Sequence, residues 1–530
     1  MILIARLTTL WLLLTLTSTA LAQDEPRPSP EPSTPTKEQS DELPSEEDAK
    51  EAETEEDETA VVTESSITLG DETIQYRATA GMQPLLTETG ETRANIFHVA
   101  YERLDENGEP LSASPENRPI TFCFNGGPGS SSVWLHLGAW GPVRVDMGDA
   151  GKLKPAPWTL VPNDGSLLDV SDLVFIDPVT TGFSRSTEDQ SHQDFHGLEA
   201  DADAVAEFIR LYLTRNERWL SPKYIAGESY GTTRAAVLAE RLQRRHGVFL
   251  NGVILVSAIL DFQTTDFAPG NDVANPLYLP TFAATAWYHG KLPDDISLQQ
   301  AIERAEAYAS NQYLVALYQG SSLPEPQRQA IARSLATLTG LPAEYIVRSN
   351  LRLYPSRFRK ELLRDQRRTV GRLDSRFTGV DADAASDRPE YDPSYAVIQG
   401  PYTAAMNHYV RVDLGFESDV PYEILTGRVH PWDMNARNRY LDVSTRLTNA
   451  MLFNPELHVF LAEGLYDLAT PFAAAEYTLR HMELEPEFLK HVTIKQYESG
   501  HMMYLHDPSR AAMRQDLLEF YGTSRSNVAE

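Results

Sequence analysis

Tyr224-Ile225-Ala226-Gly227-Glu228-Ser229-Tyr230-Gly231-Thr232 is the stretch from which the rest of the chain can be read. Tyr224 to Ala226 has the apolar character of a short buried strand, and Thr232 to Arg245 reads as a helix. Between them Gly227-Glu228-Ser229-Tyr230-Gly231 fits G-x-S-x-G. Chance alone places that string in roughly one chain in six of this length, so its position says more than its letters. Small residues flanking Ser229 permit a tight strand-to-helix turn that lifts the hydroxyl above the end of a sheet. The plain alternative is an ordinary tight turn. A chemical role for Ser229 therefore depends on finding a base and a carboxylate elsewhere.

Outward from this turn, strand and helix signals alternate. Upstream, short apolar alternations around Ile67, Ile74, Ile96 to Val99 and Ile120 to Phe122 read as strands, and Leu173 to Ile176 is another. Val205, Phe208, Ile209 and Tyr212 mark one face of a helix. Downstream, Val253 to Val256 is a buried strand. This alternation predicts an α/β fold, a mostly parallel sheet flanked by helices. Between residues 265 and 450 the rhythm breaks. Helical stretches such as Leu298 to Leu317 and Pro326 to Leu338 occur without clear strands, which predicts a helical insertion, or cap, over the sheet. Strands resume at Leu457 to Leu461 and His491 to Tyr497, with Thr470-Pro471 expected to open one helix and Asp507-Pro508 the last. The core is thus expected in two parts, 62–264 and 451–523, with 524–530 as a tail.

A nucleophilic serine needs a base to take its proton and a carboxylate to orient that base. On a strand-to-helix turn of this kind the partners follow in the order carboxylate, then histidine, each on a loop after a later strand. Asp467, in Gly464-Leu465-Tyr466-Asp467, and His501, in Glu498-Ser499-Gly500-His501, meet that order. Each alone could be a surface turn residue; three in sequence on three matching loops make a catalytic set. His506 is the competing base, one residue before the last helix. Asn125-Gly126-Gly127-Pro128-Gly129-Ser130-Ser131-Ser132 follows a strand, and its glycines let backbone N–H groups approach a ligand, as an oxyanion hole requires. A phosphate-binding loop is excluded, because no Lys follows in the required place. Neither H-E-x-x-H, paired cysteines nor a nucleotide fingerprint is present, so no metal and no cofactor is expected.

The ends and the charge set the surroundings. Arg6 precedes an apolar run from Leu7 to Leu16, and Ala20-Leu21-Ala22 supplies small residues for cleavage, so 1–22 reads as a signal peptide. The run is shorter than the roughly 20 residues a membrane span needs. Residues 23–61 are rich in Pro and Glu; between 23 and 60, 15 acidic residues stand against 3 basic ones. Such a composition cannot repay the entropy of ordering and predicts a disordered acidic tether. The whole chain carries a net charge of -30, which argues against nucleic acid and against an anionic membrane surface as partners. Cys123 is the only cysteine, so no internal disulfide can form. A single cysteine behind an export signal points to a bacterial periplasmic or extracellular protein.

The sequence resembles the serine carboxypeptidases. The likeness rests on Asn125 to Gly129 with its serines, Gly138 to Pro142, Thr181-Gly182-Phe183-Ser184, the Ser229 turn, the Asp467 loop and Gly500-His501, in family order over about 95–520. It implies the α/β-hydrolase fold and a carboxypeptidase acting on peptide or protein substrates. By that resemblance Ser229 is the nucleophile, with Asp467 and His501 completing the triad. The N–H groups of Gly127 and Tyr230 would form the oxyanion hole. Asn125, Gly126 and Glu228 would bind the substrate's C-terminal carboxylate. Two departures stand out. Ser130 takes the place of a disulfide-forming Cys, and Ala139 takes the place of a second Glu that pairs with the first. An esterase, an acyltransferase or another peptidase on the same fold is the nearest alternative, and a catalytically inactive binding module the more distant one.

Overall fold

The structure, a computed structural model, describes residues 60–148 and 154–526. The expected signal peptide, and all but the last two residues of the expected tether, lie outside the described residues.

The main sheet is built from β1 (Val61–Leu69), β2 (Glu72–Leu86), β3 (Thr92–Arg103), β4 (Ile120–Phe124) and β5 (Asp172–Ile176), followed by β6 (Lys223–Glu228), β7 (Gly252–Val256), β8 (His458–Gly464) and β9 (Val492–Tyr497). In space they run β1-β2-β3-β5-β4-β6-β7-β8-β9, with the two-residue strand Arg185–Ser186 beside β3. The pairs from β1 to β5 are antiparallel, and every pair from β5 to β9 is parallel. The sheet is mostly parallel in its functional half. Register explains where the site sits. Phe124 pairs with Gly227, Glu228 with Val256, and Gly464 with Tyr497. The loops after β4, β6, β8 and β9 therefore all leave the same carboxyl edge, the usual ligand side of such sheets.

Alternate side chains of the central strands enter two cores, as a pleat requires. Ile254, Val256, Phe460 and Ala462 face one way; Val253, Leu255, Val459 and Leu461 face the other. The second core is closed by α1 (Leu198–Arg215) and α2 (Tyr230–His246), through residues such as Phe208, Ile209, Val237 and Leu238.

The segment 265–450 does not form one layer. Its first part holds α3 (Ala274–Tyr288), α4 (Leu298–Tyr308) and α5 (Glu325–Thr339), which bury Leu279, Phe282, Ala301 and Leu335 in a core of their own. A short antiparallel pair, Arg368–Val370 with Thr378–Val380, interrupts the helices. α6 (Pro393–His408) then inserts Ile398, Tyr402 and Met406 into one sheet core, while α7 (Ser444–Phe453) inserts Leu447 and Met451 into the other. Periodicity identifies an apolar helix face but not the core it joins, which is why a single cap was expected.

Past α7 the two longer helices are α8 (Phe472–Arg480) and α9 (Asp507–Ser526). α8 starts one residue later than Thr470-Pro471 suggested: Pro471 is the cap, and Thr470 has another task described below. α9 continues to Ser526, so the expected tail from 524 begins as helix. No helix among the described residues is long and apolar enough to cross a membrane.

Candidate active site

β6 ends at Glu228 and α2 starts at Tyr230, which leaves Ser229 alone at the turn with φ 58° and ψ -128°. A non-glycine residue there is strained, and its neighbours hold it so. Ser229 N donates to Val256 O at 2.9 Å. A Cβ on Gly227 would meet Gly231 O at 2.1 Å, and one on Gly231 would meet Phe124 O at 2.9 Å, so the chain passes too closely for side chains. Ser229 is partly exposed between buried neighbours, and no hydrogen bond ties its hydroxyl among the described residues.

The glycine loop after β4 lies directly on this turn. A Cβ on Gly126 would stand 2.4 Å from Tyr230 N and 2.5 Å from Gly231 N. Tyr230 is the first residue of α2, so its N–H has no partner within the helix. Gly127 adopts φ 103°, a conformation that favours glycine. The loop is anchored from behind. Arg234 Nη1 donates to Asn125 O at 2.6 Å while its Nε holds the buried Asp201 carboxylate, also at 2.6 Å. Asn125 Oδ1 accepts from Leu135 N at 3.1 Å, while its buried Nδ2 makes no well-formed hydrogen bond among the described residues and acts on the Glu228 carboxyl, favouring its charged form. Downstream, Ser132 N and Oγ both donate to Asp177 Oδ1, at 2.8 and 2.7 Å.

Across the turn, His501 Nδ1 and Asp467 Oδ2 are 2.6 Å apart and both residues are buried. Asp467 also accepts from the N–H groups of Ala469 (2.7 Å) and Thr470 (3.1 Å), and from Thr470 Oγ1 at 2.7 Å. Thr470 therefore serves the carboxylate rather than a helix end. Burial pushes the His501 imidazole down, but the charge and hydrogen bond of Asp467, helped by Glu228, overcome it and raise the pKa above 6.5.

The segment 371–377 holds both loops in place. His501 N donates to Leu373 O at 2.7 Å and Gly500 N to Asp374 Oδ2 at 3.2 Å. Arg376, paired with Asp374, donates to Glu498 O at 2.8 Å and Ser499 Oγ at 3.0 Å. Ser375 N donates to Tyr466 O, and Leu468 N to Arg372 O, each at 3.0 Å. From the sheet, Ser257 Oγ donates to His501 O at 2.7 Å.

Ser229, His501, Asn125, Gly126, Gly127 and Glu228 line one pocket of about 360 Å³, with Asp467 behind His501. Tyr230 turns its ring away, where its hydroxyl accepts from Trp432 Nε1 at 2.8 Å, so only its backbone can serve the site. The far wall comes from the inserted segment: Arg372, Leu373, Tyr395, Ile398, Leu425 and His430. His506 is elsewhere, held by Ser509 Oγ at 2.8 Å, and does not line this pocket. Glu228 is buried and accepts from Tyr504 Oη at 2.7 Å. Burial raises its pKa to about 7; His501 and the Tyr504 hydrogen bond pull the other way. Ala139 is fully buried and brings no acid.

Sequence reasoning missed Thr470, Tyr504, Arg372 and the Asp374–Arg376 pair. Tyr504 stands three residues after His501, which could have drawn notice; nothing in the sequence marks the other partnerships.

The profile of the serine carboxypeptidase family matches residues 86–501. The chain belongs to that family and has the α/β-hydrolase fold. Serine carboxypeptidase-like 5 of Arabidopsis thaliana is 33% identical over 119 residues, 22% of this chain and 26% of that protein. A pheromone-processing carboxypeptidase of Yarrowia lipolytica is 33% identical over 147 residues, 27% of this chain and 22% of its own length. A putative serine carboxypeptidase-like 30 of Arabidopsis thaliana is 26% identical over 231 residues, 43% of this chain and 42% of that protein. The matches thus span less than half of these relatives. Among solved structures, a proline iminopeptidase of Mycobacterium smegmatis aligns at a TM-score of 0.30 and 12% identity, covering 87% of this chain and 100% of that one.

Proposed function

We propose that this protein is a serine-type carboxypeptidase that releases C-terminal residues from peptides or proteins through an acyl-enzyme. The observation that carries the reading is the buried Asp467–His501 hydrogen bond, 2.6 Å long, at a pocket lined by His501, the strained Ser229 and the buried Glu228. In the proposed reaction His501 Nε2 takes the Ser229 proton as Oγ attacks the scissile carbonyl carbon. Asp467 keeps Nδ1–H oriented and stabilises the imidazolium. The N–H groups of Gly127 and Tyr230 receive the oxyanion. When the tetrahedral adduct collapses, the C–N bond breaks and His501 passes its proton to the leaving amine. Water, deprotonated by His501, then attacks the acyl carbon, and Ser229 leaves with that proton. Asn125, Gly126 and Glu228 hold the free carboxylate of the substrate. No metal, cofactor or nucleic acid enters this reading.

The test compares an N-blocked dipeptide acid with its amide and its ester, in kcat/KM, alongside labelling by a fluorophosphonate. Preference for the acid, with labelling at Ser229, is the expected result. Equal cleavage of acid and amide at every pH would leave only the broader hydrolase or esterase, and no turnover with no labelling would leave a binding module.

We also propose export to the periplasm or medium after removal of residues 1–22, supported by the Leu7 to Leu16 run and Ala20-Leu21-Ala22. N-terminal sequencing of the mature protein checks this; an intact Met1 would refute it.

A further inference from the structure

Tyr504 has no counterpart in the roles drawn from the family resemblance, yet its hydroxyl donates a well-formed hydrogen bond to the Glu228 carboxyl, 2.7 Å from Oη to Oε2. Its ring is buried in the turn Met503–Leu505 and packed against Gly138, where a Cβ would lie 2.5 Å from Tyr504 Cε2 and 2.7 Å from Tyr402 Oη. Only glycine at 138 leaves that space, so the phenol is fixed in its direction. Next to it, Ala139 offers no carboxyl to share a proton.

We infer that Tyr504 is the positioning residue of the carboxylate subsite, occupying Glu228 Oε2 so that the exchangeable proton of Glu228 is carried on Oε1, toward the ligand. This rests on the reading of Glu228 as the group that meets a substrate carboxylate. The phenol keeps its own proton, because burial and the neighbouring Glu228 and Tyr402 hold its pKa well above 10. With Oε2 occupied, a proton on Oε1 can be donated to one oxygen of an incoming carboxylate. The second oxygen can meet Asn125 Nδ2, a buried donor in the same pocket that makes no well-formed hydrogen bond and otherwise acts on Glu228 itself. An anion thus gives that amide a better acceptor.

This arrangement differs from a pair of acids sharing one proton. Capture depends on a single ionisation, and its position depends on Tyr504. The other groups that act on Glu228 are His501, Asp467, Asn125 and Tyr402, with Arg372 acting on His501. None of them changes when Tyr504 becomes Phe. Removing the phenol takes away a donor that favours the charged form, so Glu228 should hold its proton to higher pH.

The experiment measures binding of an N-acyl amino acid, the product type with a free carboxylate, and of its amide, by calorimetry from about pH 5 to 9. Wild type should bind the acid better than the amide and lose that advantage through one ionisation. On the alkaline side of that ionisation, binding run in two buffers of different protonation enthalpy should show uptake approaching one proton per acid. In Tyr504→Phe the pH at which affinity falls should move up by at least about one unit. Glu228→Gln should give a flat profile whether or not Tyr504 is present, since its amide donates at every pH. If the acid is preferred but the midpoint in Tyr504→Phe stays put or moves down, this inference fails while the carboxypeptidase reading stands. If acid and amide bind alike in wild type, that reading itself fails. Should Tyr504→Phe not fold, wild-type proton uptake decides: none overturns the inference, as does uptake that needs two ionisations.

Discussion

At the Ser229 turn, Gly227, Ser229 and Gly231 hold the proposed nucleophile within five residues, by backbone closeness and a positive φ. On the opposite wall, Asp374 reaches Gly500 N across 126 positions of sequence and Arg376 reaches Ser499 across 123. The two walls also treat charge differently. Buried acids of the inserted segment carry a cation: Asp374 has Arg376 and Asp381 has Lys360. On the sheet side Asp172 and Asp201 carry arginines too, but the two buried glutamates near the carboxyl edge do not. Glu228 has only a phenol and an amide beside it, and Glu463, whose Oε1 accepts from Ala258 N at 2.9 Å, leaves Oε2 without a partner. The inserted side spends its charges on holding loops together; the sheet side keeps a carboxyl whose proton can be used. Uncompensated charge burial of this kind is typical of working sites rather than of scaffolds.

The largest effect expected from testing this contrast is at the turn. Ser229→Ala should lower peptide-acid turnover by about 10⁴- to 10⁶-fold and abolish fluorophosphonate labelling, with circular dichroism unchanged. Labelling at the wild-type rate would remove Ser229 as nucleophile and the contrast with it.

Glu228→Gln tests the uncompensated charge through stability. The folded carboxyl holds its proton to about pH 7, against an ordinary value of 4.5. Between those values the folded protein binds a proton that the unfolded chain does not, so wild type loses stability as pH rises through that window and stays lower above it. The Gln variant should therefore gain on wild type, by up to about 3 kcal/mol above pH 7 and by little at pH 4. Urea midpoints at the two pH values measure this; an equal difference at both would mean that folding leaves the Glu228 pKa at its ordinary value.

Arg376→Met tests the far wall. Freeing the Glu498–Ser499 turn should misplace His501 and cost about 10²-fold in kcat, with a smaller change in KM. Wild-type kcat would make the inserted segment a cover and nothing more. The smallest effect should come from Thr470→Val, which deletes one hydrogen bond to the Asp467 carboxylate. A charged hydrogen bond of this kind is worth about 1.5–3 kcal/mol, and because the Ala469 and Thr470 N–H groups still bind the carboxylate only the lower end should be felt: a loss of about tenfold in kcat/KM, with the fall on the acid side of the pH profile displaced. An unshifted profile would reduce Thr470 to packing.

The same contrast explains what the sequence disclosed. Ser229, Asp467 and His501 were readable because each sits on a short loop after a strand, where apolar runs and glycines mark both flanks. Asn125 to Gly129 was readable for the same reason. The order of strands agrees with an alternating pattern. Arg372, Asp374 and Arg376 were not readable, since each joins a group 96 or more residues away and no local spacing records such a partner. Thr470 reads as a cap because Thr before Pro is a common helix start; instead its hydroxyl donates to the Asp467 carboxylate three residues earlier, and Pro471 takes the cap position. The division of 265–450 among several cores was hidden because an apolar stripe does not name its partner.

Leu468, the residue after Asp467, is buried in the separate core of the inserted helices while its amide bonds Arg372. That gives the site a breathing behaviour distinct from that of the sheet beneath it. In hydrogen exchange, the amides of Leu468, Gly500 and His501 should open together with the inserted helices, and earlier than the amides of β7 and β8. Warming or mild denaturant would then silence the enzyme while its central strands remain protected, so the temperature at which activity is lost reports the loosening of a wall and not the melting of the fold.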